Sequence, residues 1–156
     1  MAASTPKVSR SIAAIREDWL ALESEDIIEP DLAIIDAHHH LWDFPQRRYL
    51  LPEFLADSDS GHDIRATVYV DCTSYYRGGG APEMRPVGEV EFANGVAAMA
   101  ASGRYGTTRV CAAIVGFADL RLGAAVEAVL AAEVAAGNGR FRGIRNVANW
   151  DPGEEV

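Results

Sequence analysis

Apolar and polar positions along the chain follow two alternating rhythms. Ile34 and Ile35 end one short apolar run, and further runs occupy residues 64–72, which is rich in Val, Thr and Tyr, 110–117 and 141–147. Runs of this kind predict strands. Between them, apolar residues recur every three or four positions, which predicts helices. The first helix is predicted from Ser11, as its cap, to about Glu25, with Ile12, Ile15, Trp19 and Leu22 on one stripe. A short one begins at Pro52, a residue suited to a first helical position, and ends near Asp57. A third covers residues 87–102, with Val90, Val96, Ala97, Met99 and Ala100 inward, and stops at Gly103. A fourth covers residues 122–136, with Val126, Val129, Leu130 and Val134 inward, Asp119 as its cap and Gly137-Asn138-Gly139 as its stop.

Strands that alternate with helices predict a parallel sheet with right-handed crossovers, an α/β fold. The run 110–117 is almost wholly apolar, as expected of a strand covered on both faces. Pro30-Asp31 separates an N-terminal helical extension, residues 1–30, from an α/β body, residues 31–156. A small open doubly wound sheet is the alternative architecture.

Composition narrows the function classes. With 49% hydrophobic and 24% charged residues, the chain reads as a soluble globular protein. Its net charge of −9, with no basic block, makes nucleic acid and anionic membrane poor partners. No apolar stretch is long enough to span a bilayer, and residues 1–10 lack the apolar core of a signal peptide. Cys72 and Cys111 sit inside strand-like runs and read as buried, reduced thiols, which suits the cytoplasm.

The candidate chemistry gathers at Ile34-Ile35-Asp36-Ala37-His38-His39-His40-Leu41-Trp42-Asp43, which holds three of the four histidines. Strand side chains alternate, so Asp36, His38 and His40 should share one face and His39 the other. Two imidazoles two residues apart can grip one metal ion. The fourth histidine, His62, precedes a strand and reads as structural. The loop 73–86 holds Tyr75, Tyr76, Arg77 and three glycines at 78–80. No Gly-Lys-Ser/Thr follows the glycines, which excludes a phosphate loop. Tyr75 and Arg77 are therefore expected to reach over a substrate pocket, the plainer alternative being a surface loop.

Asp36-x-His38-x-His40-Leu41-Trp42-Asp43 resembles the first-strand signature of the amidohydrolase superfamily. It is closest to the amidohydrolase-related branch of sugar lactonases and pyrone-dicarboxylate lactonases. The stretches 66–72, 84–89 and 141–145 agree with that branch, so the resemblance runs from about Ile34 onward. It implies a (β/α)8 TIM barrel. A whole barrel takes about 250 residues, so this chain would supply its N-terminal half, about four βα units. The implied activity is metal-dependent hydrolysis of a small cyclic substrate, carboxylated or sugar-derived. The implied cofactor is a divalent metal, zinc first, held by His38 and His40, with metal-free action as the alternative.

The resemblance also implies roles for other residues. Asp36 would orient a neighbouring histidine. In the family, further histidine ligands follow the fifth and sixth strands and a general-base aspartate follows the eighth, all beyond this chain. Two imidazoles underfill a zinc site, so weak binding is expected. Near the fourth strand, where dinuclear members carry a bridging lysine or glutamate, stand Arg142, Arg145 and Asn146. A guanidinium grips carboxylates and not metals. Arg145 is the expected substrate anchor, and Arg142 a salt-bridge former. Trp42 is expected to plug the core. The partners are a small-molecule substrate and another copy of the chain, through the open edges of a half barrel. A metal-dependent decarboxylase of the same branch, a non-catalytic remnant and one half of a split enzyme are the alternatives.

Overall fold

The computed structural model describes residues 16–45 and 47–146. After a single helical turn, α1 (Glu17–Leu20), the chain enters β1 (Ile34–His39). A small hairpin follows, β2 (Trp42–Phe44) and β3 (Arg47–Tyr49), and then α2 (Leu51–Ser58). β4 (Ile64–Val70) leads through a 3-10 turn at Pro82–Met84 to α3 (Val87–Ala101). β5 (Arg109–Gly116), a 3-10 segment at Leu120–Ala125, α4 (Val126–Ala136) and β6 (Phe141–Ile144) complete the order. β1, β4, β5 and β6 form one parallel sheet in that order, so the protein is α/β as the alternation predicts.

One face of the sheet is covered by helices. Thr67, Tyr69, Cys111 and Ile114 are fully buried there. Leu51 and Phe54 of α2 and Val90, Ala93, Val96, Ala97 and Ala100 of α3 join the same core. The intervening strand residues Ala66, Val68, Ala113 and Val115 are half-buried on the other face. Burying an aliphatic side chain contributes roughly 1.5–3 kcal/mol, so the helix-covered face carries most of the packing energy.

Local chemistry explains the helix ends. Glu53 accepts the Leu50 backbone N–H at 2.9 Å and closes the start of α2, with Pro52 beside it. Asp119 accepts the Arg121 backbone N–H at 3.0 Å, so it caps the 3-10 segment and not α4, whose N-cap is Ala125. The helix predicted from 122 instead starts at Val126, because Gly123, at φ 57°, kinks the preceding turn.

The inward face of α4 differs from the expected one. Val129 is buried as expected, but Val134 is 58% exposed and Glu133 is fully buried. The helix is apolar nearly all round, so its pattern leaves the inward face undetermined. Gly116 makes room for the acid: a Cβ there would lie 3.1 Å from both Glu133 carboxylate oxygens.

The N-terminal helix also differs. Residues 11–15 lie outside the described residues, and α1 ends at Leu20. Trp19, Leu20 and Leu22 are exposed, so among the described residues this stretch packs no apolar stripe on the α/β body. One turn followed by acidic residues 23, 25 and 26 has neither the length nor the burial that sustains a helix.

Two of the sheet's register shifts bear on the candidate residues. In β5, Arg109 pairs with Ala66 and Ala113 with Val68, so four steps of β5 match two of β4. Cys111 sits in that bulge at φ 53°, and its N–H donates to the Thr67 hydroxyl at 2.9 Å instead of to a ladder carbonyl. In β1, Asp36 pairs with Thr67 and His39 with Tyr69, so three steps match two. Strict alternation therefore fails between Asp36 and His39.

Candidate functional site

A cavity of about 900 Å³ lies across the C-terminal ends of the four parallel strands. His40 enters it just beyond β1, and Asp71, Cys72 and Thr73 just beyond β4. Phe117, Asp119, Leu120 and Arg121 line it after β5, and Arg145 and Asn146 after β6. Strand C-termini are where open and closed parallel sheets alike place their ligands. The hairpin closes one side with Trp42, Phe44 and Arg47.

The sequence leaves this hairpin as a loop, yet its alternation is clear in the structure. Trp42 pairs with Tyr49 and Phe44 with Arg47. Trp42 and Tyr49 rings lie 5.7 Å apart, and the Arg47 guanidinium stands 5.3 Å over the Trp42 ring. Trp42 is thus half-buried and walls the cavity, where a core plug was expected.

The histidines separate as expected. His38 Nε2 and His40 Nε2 lie 3.2 Å apart. His40 Nδ1 lies 2.7 Å from the Val70 carbonyl, which can only accept, so Nδ1 carries the proton and Nε2 keeps a lone pair. His38 Nε2–H donates to that lone pair. Two nitrogens on one tetrahedral zinc stand about 3.3 Å apart, so the spacing fits two ligands of one ion. The tie to a backbone carbonyl is the usual support of a metal-binding imidazole. The set fits only in part: among the described residues no group of three or more His, Cys, Asp and Glu is placed to hold a metal.

Asp36 accepts the backbone N–H of His38 at 3.0 Å. It therefore holds the turn and not a ring, a correction to its expected role. His39 points into the helix-covered core, 4.5 Å from the Phe54 ring, with Nε2 2.8 Å from the Thr67 hydroxyl. Burial pulls it down to about 4, so it is neutral. His62 is exposed ahead of β4.

Arg145 lies where the strand-end argument puts it. It lines the cavity, its backbone N–H donates to Gly116 at 2.8 Å, and its guanidinium donates to the Asp71 carbonyl. Arg142 instead donates to the carbonyls of Gly139 and Phe141, with no carboxylate partner among the described residues.

Tyr75 and Arg77 are not brought to the cavity. The Tyr75 ring stacks on Phe92 of α3 at 3.8 Å, and Arg77 pairs with Glu91 of α3. Gly88 lets that loop lie against the helix, since a Cβ there would meet the Tyr75 carbonyl at 2.6 Å and the Arg77 nitrogen at 2.8 Å.

Arg47 and Asp71 are among the cavity residues that escape the sequence reading. Arg47 reaches the cavity only because the hairpin folds back. Asp71 follows the last residue of β4, and the strand-end rule that selects Arg145 would have found it. No protein-family model matches the chain, and no curated protein or solved structure matches it either.

Proposed function

We propose that the cavity is the substrate site of a metal-dependent hydrolase of the amidohydrolase type, built on part of a (β/α)8 barrel. The observation that carries this reading is the 3.2 Å approach of two Nε2 atoms, with the His40 tautomer fixed by a backbone carbonyl. His38 and His40 would hold a divalent ion, zinc first, at the cavity's edge. Such an ion supplies a Lewis acid and a more acidic bound water. Arg145 grips a carboxylate of the substrate, which favours a small, cyclic, acidic compound or a sugar-derived one. Arg47 adds a second cation beside the Trp42 ring. The open edges of β1 and β6 are the route to self-association. Cys72 and Cys111 are unpaired, which suits work in the cytoplasm, although only one further point bears on location: no described helix is long and apolar enough to cross a membrane.

A second reading follows from the missing third ligand among the described residues. On it the chain is non-catalytic, a remnant or half of a split enzyme. A decarboxylase of the same branch would use the same imidazole pair. Zinc titration by calorimetry tests the common element. Weak one-site binding is expected, reduced about tenfold or more in both His38→Ala and His40→Ala but not in His62→Ala. Equal binding by all four proteins would overturn the metal assignment.

A further inference from the structure

Two buried acids meet beneath the cavity. Glu89, in the first turn of α3, is 1% exposed, and Asp71 is 4% exposed. Their hydrogen-bond donors are divided unequally. Glu89 Oε1 accepts from the Tyr69 hydroxyl at 2.6 Å and the Cys72 N–H at 2.9 Å. Glu89 Oε2 is buried and receives no donor among the described residues. Asp71 Oδ2 accepts from the Tyr76 hydroxyl at 3.0 Å and the Thr73 N–H at 3.4 Å.

The two carboxyls are neighbours on one short stretch of backbone: Glu89 holds the Cys72 N–H, one residue beyond Asp71, and Asp71 holds the Thr73 N–H next to it. Side by side and out of water, they cannot both be charged. A proton on Glu89 Oε2 resolves both the charge and the orphaned oxygen, because that oxygen then has a hydrogen to donate. Burial, with Asp71 beside it, raises the Glu89 carboxyl well above the usual range. The other titratable groups around the pair are Tyr69, Cys72, Tyr76, Glu133 of α4 and Arg145, and burial pushes Glu133 up to about 7.

Only Asp71 of the pair lines the cavity. Its carbonyl receives the Arg145 guanidinium, and the carbonyl one residue earlier receives His40. Asp71 is thus the backbone pivot between the candidate ligand and the candidate anchor. We propose that Asp71 is the proton-transferring residue of this cavity, and that Glu89 is a positioning residue that holds a proton against it.

The proposal rests on the reading of the cavity as a substrate site. Asp71 takes a proton from a group in the cavity or returns one to it, while the Glu89 proton stays against it. In each direction an O–H bond breaks on one partner as one forms on the other, and the pair passes between one proton and two.

Infrared titration of the whole chain, without metal or substrate, tests this. Glu133→Gln serves as the background so that only one buried acid absorbs. A protonated-carboxyl band should persist at about pH 7.5, far above the ordinary glutamate value, and Glu89→Gln should remove it. Asp71→Asn should lower the band's midpoint by about one pH unit or more, because the opposing charge is gone. In D2O the band of the unsubstituted pair should shift as fast as exposed groups exchange, a reading that needs no Asp71 variant to fold. A band that survives Glu89→Gln, a midpoint unmoved by Asp71→Asn, or exchange as slow as core amides overturns the proposal. Loss of zinc binding with these readings intact would remove the hydrolase reading alone.

Discussion

On the face of the sheet covered by α2 and α3, Thr67, Tyr69, Cys111 and Ile114 have no exposed surface; on the other face Ala66, Val68, Ala113 and Val115 are half open. The consecutive histidines divide along the same line. His39 enters the covered face and is neutral, while His38 and His40 meet at the cavity side. The covered face holds His39 and Glu89 in their neutral forms, because burial disfavours the charged form of each. The other face leaves room for charge, water and a ligand. Which face a residue reaches therefore decides its chemistry more than its type does.

The sharpest test of this contrast compares neighbours on opposite faces. Ile114→Ala should cost about 4 kcal/mol and Val115→Ala about 1 kcal/mol in urea denaturation. Equal losses would mean that both faces are packed alike. A somewhat smaller effect should come with pH. Glu133 rises from 4.5 to about 7 on folding. Its contribution is thus complete below about pH 4.5 and lost as pH passes 7, a swing of about 3 kcal/mol. His39 works in the opposite sense: lowered from 6.5 to about 4, it favours the fold above pH 6.5 and loses that contribution as pH falls toward 4. In Glu133→Gln the decline of stability between about pH 4.5 and 7 should become shallower, and an unchanged slope would contradict a buried neutral acid there. The smallest effect is expected from Thr67→Val, about 2 kcal/mol, because the Cys111 N–H and His39 Nε2 both lose their partner. Hydrogen exchange should report a faster Cys111 amide; an unaltered rate would place its bond elsewhere.

Much of the architecture is legible in the sequence because strand and helix periods are local. The four parallel strands, α2 and α3 fall where the sequence puts them, and α4 does so from Val126 onward but with a different inward face. The pairing of His38 with His40 follows from two-residue spacing and survives a bulge that displaces Asp36. Arg145 follows from its position at a strand end. What escapes the sequence depends on contacts between distant segments. Tyr75 and Arg77 have the chemistry of a pocket loop, but Phe92 and Glu91 on the next helix capture them first. Glu133 reads as a solvent residue until Gly116, on a different element, leaves space for it. Arg47 and Trp42 face the cavity because a three-residue strand folds back on its neighbour, and so short a hairpin leaves little periodic signal.

The sheet order β1-β4-β5-β6 follows the order of the chain. Each strand therefore pairs with its predecessor in the sheet, and none is inserted between two earlier ones. The cavity draws on the exits of all four strands, so its lining is spread along the chain from His40 to Asn146. No short fragment of the polypeptide carries the whole lining, and recognition by this cavity is a property of the assembled sheet.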